Sequence, residues 1–334
     1  MKTRIYFSAV LIAALIMGVT SGCKPKPTGV TTIVLADCGW DSQLLHNALA
    51  KLVIENAYDG YVVRSSTAST TMNWESIKNN DVDLQVETWH ENMPFYTDDV
   101  KNGDIVYLGV LVQDSRQGLY VPRYVVEGDP ARNIAPAAPG LKRVEDLAKY
   151  SNIFPDDEKP SKGRIYGAIP GWVVDGILYK KYLYYGLDAN YNYQRLGSEA
   201  AIFASLMAAY NLGEPWVGYC YEPTWIAGKL DLLILEDAPY EPDAFEEGKT
   251  AFSTQELLNV SSRQFPSKAP ELVEFIKKYK TGSALISKAL AYLDEKKVSH
   301  EEVAIWVLKN NDSLIDEWLP AQNAKKLRDY LAQK

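Results

Sequence analysis

Thr31-Thr32-Ile33-Val34-Leu35-Ala36 is a β-branched apolar run, and together with residues 41–63 it decides the fold class. Asp41 stands where a helix cap belongs, Leu45, Leu49, Leu52 and Val53 recur at helical spacing, and Gly60 ends the pattern before Tyr61-Val62-Val63 restarts a strand. A strand, a helix and a second strand in that order form the unit that lays parallel strands side by side. An α/β protein is expected.

The alternation continues outward from this unit. The pattern predicts a helix over 72–79 and strands over 82–86 and 105–112. A Pro- and Gly-rich connection over 121–150, with a short helix near 144–148, leads to a second series opening at Arg164-Ile165-Tyr166-Gly167-Ala168-Ile169. That series carries helices over 174–185 and 198–210 and strands over 216–221 and 232–235. From Pro270 the chain reads as helix, Ser299-His300-Glu301-Glu302 matches a capping box, and Trp306 and Trp318 fall on apolar faces as packing residues. Two α/β units are expected, with no solenoid-period repeat.

Lys2 and Arg4 precede an apolar run over 5–19, shorter than the roughly 20 residues a membrane span requires. Thr20-Ser21-Gly22-Cys23 then resembles a bacterial lipobox, so residues 1–22 read as a signal peptide, Cys23 as the lipid-bearing residue and 23–30 as a flexible tether. Ordinary secretion with a leftover thiol is the alternative. A net charge of -8 argues against nucleic acid or an anionic membrane face as partner. In an oxidising compartment Cys38 and Cys220 have the option of pairing, but each sits in an apolar strand-like context, and two buried free thiols are expected.

His46, His90 and His300 are the only histidines, and none lies in His-Glu-x-x-His or beside a cysteine pair, so no metal site is expected. Gly-x-Ser-x-Gly, a Walker loop and Gly-x-Gly-x-x-Gly after a strand are all missing, which disfavours an enzyme and any nucleotide cofactor. Acid pairs such as Glu246-Glu247 fall in solvated stretches, leaving a secreted hydrolase as a weak alternative.

Eight Trp and 22 Tyr prove little by number, since most such rings fill cores. Their places say more. Trp89 follows the strand over 82–86, Trp172 follows the strand ending at Ile169, and Tyr221 closes the strand beginning at Trp216. In α/β sheets ligands gather beyond the carboxyl ends of strands. Rings converging there would box a cation that cannot donate hydrogen bonds.

Several short motifs, in order, resemble the substrate-binding proteins of glycine betaine/proline betaine ABC importers, of the OpuAC or ProX type. They are Cys38-Gly39-Trp40-Asp41-Ser42, Asp81-Val82-Asp83-Leu84 ahead of Glu87-Thr88-Trp89, and Gln117-Gly118-Leu119-Tyr120-Val121-Pro122. Pro170-Gly171-Trp172, Tyr221-Glu222-Pro223-Thr224-Trp225, Leu235-Glu236-Asp237 and Ala269-Pro270-Glu271-Leu272 complete the set. The resemblance covers nearly all of the chain after the leader.

It implies a two-lobed α/β fold of the periplasmic-binding-protein type, type II-like, with a hinge and an interlobe cleft. Residues 31–118 with 232–334 would form lobe 1 and residues 119–231 lobe 2. It also implies an aromatic box of Trp89, Trp172 and Tyr221 around a quaternary ammonium, with Trp40 and Tyr120 lining the cleft. After Gly171, the backbone N–H groups of Trp172, Val173 and Val174 would open a helix whose N-terminus receives a carboxylate. Tyr221 stands where family members carry Trp, and Met93 where some carry a polar residue. Glu87 and Glu222 flank box positions: inside the cleft they would suit choline, and otherwise they face solvent. The implied protein is a lipid-anchored, monomeric, non-enzymatic subunit on the periplasmic or outer face of the cell membrane, delivering a quaternary amine to an ABC permease. Choline, carnitine, a sugar or an amino acid remain alternative ligands.

Overall fold

The computed structural model describes residues 29–253 and 255–334. The expected signal peptide, Cys23 and the tether as far as residue 28 lie outside the described residues. β1 (Thr31–Asp37) leads through a turn at Gly39 into the helix Asp41–Ala57, and β2 (Tyr61–Thr67) returns parallel to β1. Leu45, Leu49 and Val53 are fully buried on that helix, whose packing rather than intrinsic propensity holds it. Asp41 is the first helical residue, and the cap position before it belongs to Trp40.

Seven further strands complete the described sheet: β3 (Leu84–Thr88), β4 (Ile105–Pro122), β5 (Gly163–Tyr166), β6 (Tyr191–Gln194), β7 (Gly218–Glu222), β8 (Leu232–Ile234) and β9 (Gln255–Ser262). Their order is β2-β1-β3-β9-β4-β7-β5-β6, with β8 also on β4. β4 is far longer than the strand expected over 105–112. Its first part, up to Ser115, pairs antiparallel with β9, and from Arg116 it pairs with β7 and then β8. One strand therefore runs through both halves of the molecule.

The strand partners change at positions near, but not at, the residue numbers expected to bound the lobes. The change of partner falls between Ser115 and Arg116 instead of after 118. β8 joins the sheet of β5, β6 and β7 through Tyr120–Ile234 and Pro122–Leu232, so the return crossing lies between Ile234 and Gln255 instead of before 232. A three-residue strand carries no local sign of which sheet it will join.

The C-terminal helices Ser283–Lys296, His300–Asn310 and Ala321–Leu331 pack on the helix Asp41–Ala57. The capping box at Ser299 and Glu302 forms, Trp318 is fully buried, and Trp306 stacks on Tyr292 with ring centroids 4.6 Å apart. Cys38 and Cys220 are both buried and free. Burial pushes the Cys38 thiol up to about 11 and the Cys220 thiol up to about 12, so neither is a nucleophile at neutral pH. Among the described residues no helix is long and apolar enough to cross a membrane.

Candidate ligand-binding site

Four rings reach one cavity from four strand ends. After β1, Gly39 takes φ +83, a conformation glycine adopts freely, and turns the chain so that Trp40 caps the next helix. After β5, Gly171 at φ +102 does the same for Trp172, which caps the helix Val173–Tyr184. In β3 the register shifts between Gln85 and Thr88, and Glu87 takes φ +61, rare for a non-glycine residue. Such a bulge re-aims side chains, here bringing Trp89 to the cavity while Glu87 turns beneath it. Tyr221 projects from β7 on the same face as Tyr219, two residues earlier.

The rings meet at right angles. Trp40 and Trp172 have centroids 5.7 Å apart and planes at 90°, Trp172 and Tyr221 stand 5.9 Å apart at 86°, and Tyr221 and Trp89 stand 5.5 Å apart at 89°. Tyr219 lies beside Tyr221 at 6.0 Å and 25° and meets Trp172 at 6.4 Å. With Thr70, Gln85, Asn92, Met93, Val173 and Val174 they line a cavity of about 30 Å³ for water centres. That is roughly two to three times what one water requires.

The polar ends of the rings are engaged by groups outside the cavity wall. Trp40 Nε1 donates to Glu87 Oε1 at 2.7 Å, Ser42 Oγ donates to the same oxygen at 2.6 Å, and His46 Nδ1 lies 2.5 Å from Glu87 Oε2. Thr281 Oγ1 holds the other ring nitrogen of His46 at 2.9 Å. Trp172 Nε1 donates to the Cys38 carbonyl at 3.1 Å, and Tyr219 donates to Gln117 Oε1 at 3.0 Å. Tyr221 donates to Glu199 Oε1 at 2.6 Å, and the Asp41 N–H donates to Glu199 Oε2 at 2.8 Å. With those ends occupied, the rings offer the cavity mainly carbon faces and edges.

Two of these bonds cross between lobes, as does a third from the Thr70 N–H to the Gly171 carbonyl at 3.2 Å. Residues 38, 41 and 70 belong to the first sheet's half and 171, 172 and 199 to the second's. The lobes are therefore closed on each other.

Glu199 sits buried at this seam. Burial, then the nearby charge of Asp41, raises its carboxyl to about 8, with Glu87 adding in the same sense and the Tyr221 hydroxyl and Asp41 N–H opposing. The sign is set by proton uptake. A group that holds its proton to about 8 when folded, against an ordinary value of 4.5, contributes stability complete below 4.5 and lost as pH rises through 8. The melting temperature of wild type should thus fall between pH 5 and pH 8 more steeply than that of Glu199→Gln, a difference of order 1–3 kcal/mol by thermal denaturation at each pH. Equal slopes would contradict it.

Of the residues expected at the site, Trp40, Trp89, Trp172, Val173, Val174 and Tyr221 all line this one cavity. Tyr120 does not. β4 and β7 pair Gln117 with Tyr221 and Leu119 with Tyr219, whereas Tyr120 pairs with Gly218. Directly opposed residues share a face, so alternation sends Tyr120 to the side away from the box, with its hydroxyl 3.4 Å from Glu222 Oε1. Glu87 faces neither solvent nor cavity: it is fully buried and bonded to Trp40, Ser42 and His46. Glu222 lines a separate depression with Asp114, Ser283 and Lys288. Tyr219, Thr70, Gln85 and Asn92 join the wall without having been singled out by any motif. For Tyr219 the signal is present, since it lies two residues before Tyr221 in a strand.

Two α/β lobes joined by a through-running strand, with a ring-lined cavity between them, define a solute-binding protein of the clamp type. The chain belongs to the OpuAC family, the substrate binding domain of ABC-type glycine betaine transport systems, which matches residues 31–310. This is a family of solute-binding proteins of ABC transporters, not of enzymes. The chain is similar, at 23% identity, to the trimethylamine N-oxide-binding protein of Pelagibacter ubique, covering 93% of this chain and 97% of that protein. Its fold resembles ProX, the glycine/betaine/L-proline-binding protein of Borrelia burgdorferi, with a TM-score of 0.71, 17% identity and coverage of 89% and 99%. It likewise resembles lactococcal OpuAC in its closed form with glycine betaine, with a TM-score of 0.67, 18% identity and coverage of 87% and 100%.

Proposed function

We propose that the protein captures a glycine betaine-like methylated amine between Trp40, Trp89, Trp172 and Tyr221 and delivers it to the permease of an ABC importer. The observation that carries this reading is the set of three right-angled corners joining four rings around one small cavity. A trimethylammonium head has diffuse charge and no hydrogen to donate, so ring faces attract it where polar groups gain nothing. Each well-placed ring contributes about 0.5–2 kcal/mol once water is excluded.

The polar end of the ligand is served differently. Val173 and Val174 are the first residues of a 12-residue helix whose cap makes no side-chain bond, so their N–H groups are free of intrahelical partners. Such a terminus favours a carboxylate. No cavity-lining residue carries a charge, which suits a net-neutral dipolar ligand better than choline, whose buried net charge would need an acid in the wall. A pyranose would need many donors and acceptors around its ring, and this wall offers few. Ligand bridging both lobes stabilises the closed form by its differential affinity, which is the transport signal the permease reads. The lipobox-like Cys23 supports anchoring at the outer face of the cytoplasmic membrane.

Calorimetry of the protein with glycine betaine, proline betaine, carnitine, choline and trimethylamine N-oxide tests the reading. Binding of a compact dipolar methylamine is expected, with choline weaker. No heat with any of the five would defeat it.

A further inference from the structure

Of the polar side chains that line the ring cavity, Gln85 has both amide atoms, Oε1 and Nε2, buried and without any protein partner. The residue is fully buried in β3. Native proteins rarely leave a buried amide unmet, and each exception calls for a reason. The other amide in the wall is already engaged: Asn92 Oδ1 accepts from Gln117 Nε2 at 3.0 Å. Gln85 sits next to the bulge that aims Trp89, so its position is set by the same strand that positions a wall of the box.

We infer that Gln85 reads the oxygen end of the ligand, its Nε2 donating to an anionic oxygen of a carboxylate or an N-oxide while the rings hold the methyl groups. This rests on the proposed occupancy of the box by a methylated amine. A neutral donor suits a wall without charged residues, because it meets the oxygen without adding a net charge to the closed site. The helix N-terminus at Val173 faces the same cavity and shares that oxygen end. The amide thereby separates ligands that have an oxygen from those that offer methyl groups alone.

The test compares glycine betaine, trimethylamine N-oxide and tetramethylammonium in wild type and Gln85→Leu by calorimetry. The variant should lose about tenfold or more in affinity for at least one oxygen-bearing ligand while tetramethylammonium changes by less than about threefold. Which of the two suffers tells whether the oxygen belongs to a carboxylate or to an N-oxide. The ligand-free melting temperature should hold or rise, since an unmet buried amide has been removed, whereas a merely structural glutamine would lower it. Gln85→Glu, nearly isosteric, provides the second arm: a fixed negative charge should weaken glycine betaine and favour tetramethylammonium. Equal changes for all three ligands, or none, overturn the role of Gln85 and leave the box intact. If wild type binds no methylated amine, the box reading falls and this inference with it.

Discussion

Replacing Trp172 with alanine is expected to cost about a hundredfold or more in affinity for the methylated amine while leaving a cooperatively folded protein. Trp172 forms two of the three right-angled corners, with Trp40 and with Tyr221, so its loss opens the box on two sides. It also removes the indole N–H that reaches the Cys38 carbonyl across the cleft, one of the bonds holding the lobes together. Ring loss of about 0.5–2 kcal/mol and a lost hydrogen bond of about 1 kcal/mol add to the exposure of the cavity to water. The fold survives because Trp172 packs at the edge of the core against the rings of Trp40, Tyr219 and Tyr221, around the cavity. Trp172→Phe, which keeps a ring but no N–H, should fall between. Calorimetry with circular dichroism measures both quantities, and unchanged affinity in Trp172→Ala would mean that the ligand binds elsewhere.

Glu87→Ala is expected to be the most destabilising single change near the site, by about 3–5 kcal/mol. The carboxylate receives the Trp40 indole, the Ser42 hydroxyl and the His46 ring within a space of no solvent exposure. Truncation leaves those three groups buried without their partner, and in a chain of this size the melting temperature should drop by roughly 10 °C. Affinity should fall as well, because Trp40 loses the bond that fixes its plane. Glu87→Gln keeps the shape and should cost less than the alanine. A melting temperature for Glu87→Ala within about 2 °C of wild type would show that the buried carboxylate positions nothing.

Much of this is legible in the sequence because it is local. β1, the helix after it and β2 can be read from one apolar pattern over 31–63, and Trp89 and Trp172 sit just beyond strands, where α/β ligands gather. The illegible part depends on pairing between distant segments. The polar stretch Gln113-Asp114-Ser115-Arg116 reads as the end of a strand, yet β4 continues through it because there the strand leaves one lobe and enters the other. Tyr120 reads as a cleft residue, and only the register with β7 decides which face it takes. Gln85 and Glu87 are hidden by the bulge between them: a regular strand would send both to one face, and the positive φ at Glu87 sends one to the cavity and the other beneath it.

The most direct test of the central claim is a crystal structure of the protein grown with glycine betaine. The account predicts the trimethylammonium group enclosed by Trp40, Trp89, Trp172 and Tyr221, its nitrogen within about 6 Å of the ring centroids, with the carboxylate toward Val173, Val174 and Gln85. Density for the ligand in the depression beside Glu222 and Ser283, with the four-ring cavity collapsed or filled by side chains, would contradict it.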